Sequence, residues 1–110
     1  MAWPLVSIII PALNEAESLP ELFARTDAVL QKLGQPYEFL VINDGSADAT
    51  VEVVSRLKKD HPQIGLISHR INHGKSTALM QGFAAACGQV IVTMDADLQD
   101  EPEDIPKLLA

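Results

Sequence analysis

Asp95 and Asp97 stand two residues apart, directly after the apolar run Val90-Ile91-Val92-Thr93-Met94. In an extended segment, residues i and i+2 project to the same side. Two carboxylates so placed repel each other, and a hard divalent cation relieves the repulsion by binding both. Mg²⁺ takes one or two carboxylates together with substrate phosphates and keeps its other positions for water. A cation there lets an acidic edge accept an anionic diphosphate. The competing reading is a solvated acidic loop preceding a helix, and Asp100, Glu101, Glu103 and Asp104 are assigned to it. For Asp95 and Asp97, which end a buried strand, metal and ligand binding is the expectation.

The charge distribution draws the eye to the same place. Residues 95–110 hold six acidic side chains and one basic one, whereas residues 1–94 hold nine acidic and seven basic. The 110-residue chain has a formal net charge of −7, which leaves no basic stripe to neutralise phosphates and argues against nucleic-acid binding. Cys87 is the single cysteine, so no intrachain disulfide forms; a reducing compartment and a buried, small hydrophobic role are expected for it. Met1 to Pro4 lacks a basic leader, and no apolar run approaches the roughly 20 residues of a membrane span.

The elements that must position these groups alternate. Leu5–Ile10 reads as a strand covered on both faces and stopped by Pro11. Ser18 reads as the cap of a helix carrying Leu19, Leu22, Phe23, Thr26, Leu30 and Leu33, ended by Gly34. Tyr37–Ile42 is a second strand, followed by a turn and a helix opened by Asp48 or Thr50. Ile64–Ser68 is a third strand, Ser76–Cys87 a third helix closed by Gly88, and Gln89–Met94 a fourth strand. Ile105–Ala110 begins a fourth helix behind Pro102, Glu103 and Asp104. This β-α-β-α-β-α-β-α order implies an α/β fold, an open, mainly parallel Rossmann-like sheet with helices on both faces. The last helix has barely begun at residue 110, so residues 1–110 read as the N-terminal part of a larger fold.

Ligands of such sheets sit beyond the carboxyl ends of the strands, where strand order reverses. Four polar loops belong to that edge: Pro11 to Glu15, Asn43 to Ser46, Asn72 to Lys75, and Asp95 to Asp100. If the strands lie in the order 3-2-1-4, the first and fourth loops flank the crevice and the second lies beside them. Asp44 before Gly45 is either an acceptor for a base or ribose, or a turn and cap residue of Asp44-Gly45-Ser46. Asn14 and Glu15 suit a ligand loop or the first turn of a helix equally well. Lys75 can meet a phosphate or remain solvated. Other motifs are absent. Gly74-Lys75-Ser76 has His69 where a P-loop requires its first glycine, and no G-x-G-x-x-G follows the first strand. His69 and His73 lack the glutamate of a zincin, and no Gly-x-Ser-x-Gly elbow occurs.

Three segments together carry a resemblance: Ser7-Ile8-Ile9-Ile10-Pro11-Ala12-Leu13-Asn14-Glu15, Val41-Ile42-Asn43-Asp44-Gly45-Ser46-Ala47-Asp48-Ala49-Thr50, and Asp95-Ala96-Asp97. They resemble the family 2 glycosyltransferases of the GT-A fold. The longer string from Met94 to Pro102 resembles the polyprenyl-phosphate group of that family, which includes dolichyl-phosphate mannose synthase and undecaprenyl-phosphate sugar transferases. The resemblance implies transfer of a sugar from a UDP- or GDP-linked donor to an acceptor, a polyprenyl phosphate in this group, with inversion. It implies Mg²⁺ or Mn²⁺ as cofactor. It implies donor contacts from Pro11, Leu13, Asn14 and Glu15, from Asp44 against the base with Gly45 and Ser46, and from Lys75, Asp95 and Ala96. Asp97 matches the main metal ligand, Asp95 the residue nearer ribose and metal, and Gln99 a further metal contact.

Asn43 departs from the family, in which many members carry Asp. The family's acceptor residues and catalytic base are expected beyond Ala110, as is any membrane contact other than through the acceptor. The resemblance places the full-length protein in the cytoplasm, at the cytoplasmic face of a membrane. Two alternatives stand beside it: a non-catalytic nucleotide-sugar-binding module of the same fold, and a flavodoxin-like scaffold with an acidic rim.

Overall fold

The first strand is almost wholly apolar, and both of its faces are covered. In the computed structural model, which describes residues 5–98 and 101–109, β1 (Val6–Ala12) runs between β2 (Tyr37–Asp44) and β4 (Val90–Thr93), and β3 (Ile64–His69) lies outside β2. All three pairings are parallel and give the order β3-β2-β1-β4, the condition under which the first and fourth loops flank a crevice. The connecting helices are α1 (Leu19–Leu33), α2 (Thr50–Asp60) and α3 (Lys75–Ala85). A 3₁₀ turn, Pro102–Asp104, leads into α4 (Ile105–Leu109).

The period of two along β1 sorts its side chains. Val6, Ile8, Ile10 and Ala12 join a core with Leu19, Leu22, Phe23 and Leu30 of α1, Val54 of α2 and Ile105 of α4. Ile9 faces the other way, into a smaller core with Leu40, Ile42 and Ala78 of α3. Each fully buried isoleucine of this strand contributes about 1.5–3 kcal/mol of apolar transfer. Gly82 lets α3 lie close to the sheet: a Cβ there would fall 2.4 Å from Cγ2 of Ile9. Because α1 and α2 cover one face and α3 the other, the chain reverses direction across the sheet between β1 and β4.

Three local expectations change and one alternative is decided. β1 continues through Pro11 to Ala12. The last β1–β4 partners are Ile9 and Thr93, so the N–H that Pro11 lacks costs no ladder bond beyond that point. Ser18 does not cap α1 with its side chain, because its hydroxyl is engaged elsewhere. Asp48, not Thr50, accepts the bonds that open α2, from the Thr50 N–H at 3.0 Å and from the Thr50 hydroxyl. Cys87 is exposed: α3 stops at Ala85, which leaves Cys87 in the connection to β4 rather than on a buried helix face. Among the described residues, no helix is long and apolar enough to cross a membrane.

Candidate functional site

The carboxyl ends of β1, β2 and β4 and the start of α3 enclose a cavity of about 490 Å³. It lies at the reversal between β1 and β4, where an open parallel sheet leaves a crevice. Pro11 at the end of β1 and Leu13 and Glu15 in the loop after it line it, with Asp44 at the end of β2. Lys75 enters from the first turn of α3, and Asp95, Ala96 and Asp97 from the loop after β4. Ala12, Asn72, Gly74 and Ala78 complete the wall. Ala78 is the contributor that reading the loops overlooked. The signal was its place one helical turn after Gly74, where a small side chain keeps the crevice open.

Three predicted residues do structural work beside the cavity instead of lining it. Asn14 takes a left-handed conformation (φ 56°), and its Oδ1 accepts the N–H groups of Ala47 at 2.7 Å and Asp48 at 3.3 Å. Ser46 accepts the N–H of Asn14 at 2.9 Å. Gly45 has φ 80°, and a Cβ there would lie 2.6 Å from the backbone nitrogen of Asn72. Glu15 N–H donates to Thr50 Oγ1 at 3.1 Å, and Ala16 N–H to Asp48 Oδ2 at 3.2 Å. The loops after β1 and β2 are thereby bonded to each other. The Thr50 hydroxyl bond holds the Asp48 carboxyl below the usual range, desolvation opposes it, and the Ala16 N–H adds to the lowering. Asn43 is buried at the same junction, donating to Ser68 Oγ and accepting from the Ser46 N–H.

Asp44 is buried and bonded to the end of β3 and the loop that follows it. It accepts the N–H of His73 at 2.8 Å and of Gly74 at 2.9 Å, and its Oδ1 lies 3.5 Å from Nδ1 of His69. Desolvation pushes its carboxyl up. Bonds from the His73 N–H, the His69 ring and the Gly74 N–H outweigh that and hold it below the usual carboxylate range. A carboxylate has about four lone-pair positions, so these partners leave room for about one further donor from the cavity. Asp44 thus anchors the third loop rather than capping its own turn, where Asn43 Oδ1 accepts the Ser46 N–H, and it also lines the cavity.

The loop after β4 is a turn, not the extended segment assumed from the spacing of its aspartates. Leu98 closes it in the left-handed region (φ 66°) and packs against the α1-side core. Asp95 and Asp97 reach the cavity nonetheless. Lys75 Nζ lies 2.5 Å from Asp95 Oδ1, an ion pair joining the start of α3 to the turn after β4. Ser18 Oγ donates to the Ala96 carbonyl at 2.5 Å and also lies 2.9 Å from Glu15 Oε2, tying this turn to the start of α1. Gln99 and Asp100 lie outside the described residues. Glu103, expected to be solvated, instead forms a two-pronged ion pair with Arg25, at 2.5 Å and 3.1 Å.

Two cavity-lining carboxylates suit Mg²⁺ or Mn²⁺, which bind oxygen and complete their shell with phosphate and water. Among the described residues, no group of three or more acidic, histidine or cysteine side chains forms a closed metal cage. The donor set thus matches an ion shared with a ligand better than a purely structural one.

A parallel sheet with helices on both faces and an acidic cavity at its reversal point defines a Rossmann-like α/β protein with a ligand crevice. Residues 7–110 match the family described as Glycosyl transferase family 2, and the chain belongs to that family. An undecaprenyl-phosphate 4-deoxy-4-formamido-L-arabinose transferase of Salmonella paratyphi A is 45% identical over 107 residues, 96% of this chain and 32% of the relative. A mannosyltransferase from Pyrobaculum calidifontis, solved in complex with GDP-Man and Mn²⁺, superposes with a TM-score of 0.74 at 29% identity, covering 86% of this chain and 28% of that one. Mannosyl-3-phosphoglycerate synthase from Rubrobacter xylanophilus shares the fold, with a TM-score of 0.78 at 20% identity over 93% of this chain and 34% of that one. The chain spans about a third of the length of the curated relatives it matches.

Proposed function

We propose that this chain forms the donor-binding part of a glycosyltransferase that moves a sugar from a UDP- or GDP-linked donor to a polyprenyl phosphate, with inversion. The observation that carries the proposal is the convergence of Glu15, Asp44, Lys75, Asp95 and Asp97 on one cavity at the sheet's reversal point. The family membership and the undecaprenyl-phosphate transferase at 45% identity support it. In this reading residues 1–110 are the nucleotide-sugar-binding part of a longer catalytic domain.

Each group has a chemical task. Leu13, exposed at 41%, offers an apolar wall to a base, and the spare acceptor position of Asp44 takes an N–H or O–H from base or ribose. Asp95 and Asp97 supply carboxylate oxygens to Mg²⁺ or Mn²⁺, with Gln99 proposed as a third contact. When bound there, the cation acts as a Lewis acid for the negative charge that develops on the leaving diphosphate. The acceptor phosphate is a monoester with a second pKa of about 6, so it is largely ionised near neutral pH and needs little help from a base. A lipid acceptor puts the reaction at a membrane, and the cytoplasmic face is the one proposed.

Calorimetric titration of UDP and GDP into the protein, with Mn²⁺ and then with chelator, tests the donor site. Binding of one nucleotide that depends on the ion supports it, and equal affinity in chelator rejects it. Incubation with labelled donor sugar and undecaprenyl phosphate tests transfer. Labelled lipid supports catalysis by this chain, and nucleotide binding without lipid product supports a non-catalytic donor-binding module.

A further inference from the structure

The cation site contains a positive charge supplied by the protein itself. Lys75 Nζ lies 2.5 Å from Asp95 Oδ1, and both residues line the cavity. Lys75 opens α3 behind Gly74, and its ammonium meets the turn after β4. Its side chain is 60% exposed and that of Asp95 38%, so the contact is a weak, solvent-screened pair able to exchange. Among the described residues, no other lysine or arginine lines this cavity.

We propose that Lys75 is a stand-in cation: it holds the Asp95 carboxylate while no divalent ion is present, and yields that carboxylate when the ion arrives. This inference rests on the donor-site reading above. An ammonium and a divalent cation cannot both sit on one carboxylate oxygen without repulsion, so the two compete for Asp95. The displaced ammonium stays in the crevice on its four-carbon stem, where the nearest incoming negative charge is the donor's diphosphate. Lys75 therefore weakens binding of the bare ion and strengthens binding of the nucleotide once the ion is in place. The arrangement favours the metal–nucleotide pair over either partner alone.

A substitution separates this from a plain structural role, because the two effects have opposite signs. Lys75→Met is expected to bind Mn²⁺ alone about two- to fivefold more tightly than wild type, the scale of an exposed ion pair. It is also expected to bind UDP or GDP, at saturating Mn²⁺, severalfold more weakly. Mn²⁺ binding is read by electron paramagnetic resonance of the free ion, and nucleotide binding by calorimetry. Lys59→Met, on the exposed side of α2, removes the same charge far from the crevice and is expected to change neither. Mn²⁺ binding by Lys75→Met that is unchanged or weaker overturns the proposal, as does an equal change in Lys59→Met. Wild-type protein that binds neither Mn²⁺ nor an ion-dependent nucleotide overturns the donor-site reading itself, a result distinct from either of these.

Discussion

The hydroxyl of Ser18 donates to the carbonyl of Ala96 across 2.5 Å, joining residues 78 positions apart. It also lies 2.9 Å from Glu15 Oε2 and 3.3 Å from the Glu15 carbonyl, and these acceptors compete for its one proton. The residue read from sequence as a helix cap thus fixes the turn that bears Asp95 and Asp97. Ser18→Ala is expected to cost about 1 kcal/mol of stability, the worth of one net hydrogen bond. It should also weaken Mn²⁺-dependent nucleotide binding severalfold, while Ser18→Thr, which keeps a hydroxyl, restores most of it. Urea denaturation and calorimetry on the same samples check both parts. Unchanged nucleotide affinity in Ser18→Ala would show that the turn holds its shape without this bond.

Gly45 is confined by backbone, not by flexible side chains. A Cβ there would lie 2.6 Å from Asn72 N and 2.7 Å from Ile71 C, at a φ of 80°. The left-handed conformation costs a side-chain-bearing residue roughly 1–2 kcal/mol, and overpacking adds about 1–3 kcal/mol. Gly45→Ala should therefore lower the melting temperature by about 10 °C or more. A thermal melt within a degree or two of wild type would contradict this packing of the third loop on the second.

These two positions show what could be read from the sequence and what could not. The alternation of strands and helices and the placing of four loops on one edge followed from local period, because side-chain burial on β1 is set by a local repeat, whereas the order β3-β2-β1-β4 entered only as a condition and rests on the pairing. Eight of the predicted site residues line the cavity, among them Glu15, Asp44 and Asp97. The roles of Asn14, Gly45 and Ser46 depend on contacts some 30 positions away, which no local pattern encodes. Pro11 looked like a stop because proline lacks a donor, yet only the pairing register shows that no donor was needed there. Glu103 looked solvated because Arg25, its partner, lies 78 positions earlier.

Acid should act through Asp44. Its folded-state carboxyl sits below the ordinary range, so the unfolded chain binds the proton more readily. The resulting stabilisation is complete above the ordinary aspartate pKa of about 3.9 and is lost as pH falls through the lower folded value. Wild-type stability is expected to decline on acidification below about pH 4, and Asp44→Asn to remove part of that slope while being less stable at pH 7. Urea midpoints measured from pH 7 down to pH 3 test it. Parallel curves for the two proteins would mean that the His73 and Gly74 bonds do not favour the ionised form.

The acidic residues after β4 divide into two kinds, and substitution should separate them. Asp97 lines the cavity, whereas Glu103 faces Arg25 on α1 and takes no part in its wall. The Arg25 guanidinium, by its hydrogen bond, holds the Glu103 carboxyl below its usual range against desolvation. That pairing fastens the 3₁₀ turn to α1 and leaves Glu103 no call on a bound ion. Asp97→Asn removes a negative oxygen from the proposed cation site, and a neutral amide is a poorer ligand for a hard ion. Nucleotide affinity in Mn²⁺ should fall about tenfold or more, about 1.4 kcal/mol, whereas Glu103→Gln should leave it within about twofold. The two variants change net charge equally, so a general electrostatic effect would weaken both alike. Isothermal titration of the two variants beside wild type at matched salt distinguishes the cases, and equal losses would move the cation site off Asp97.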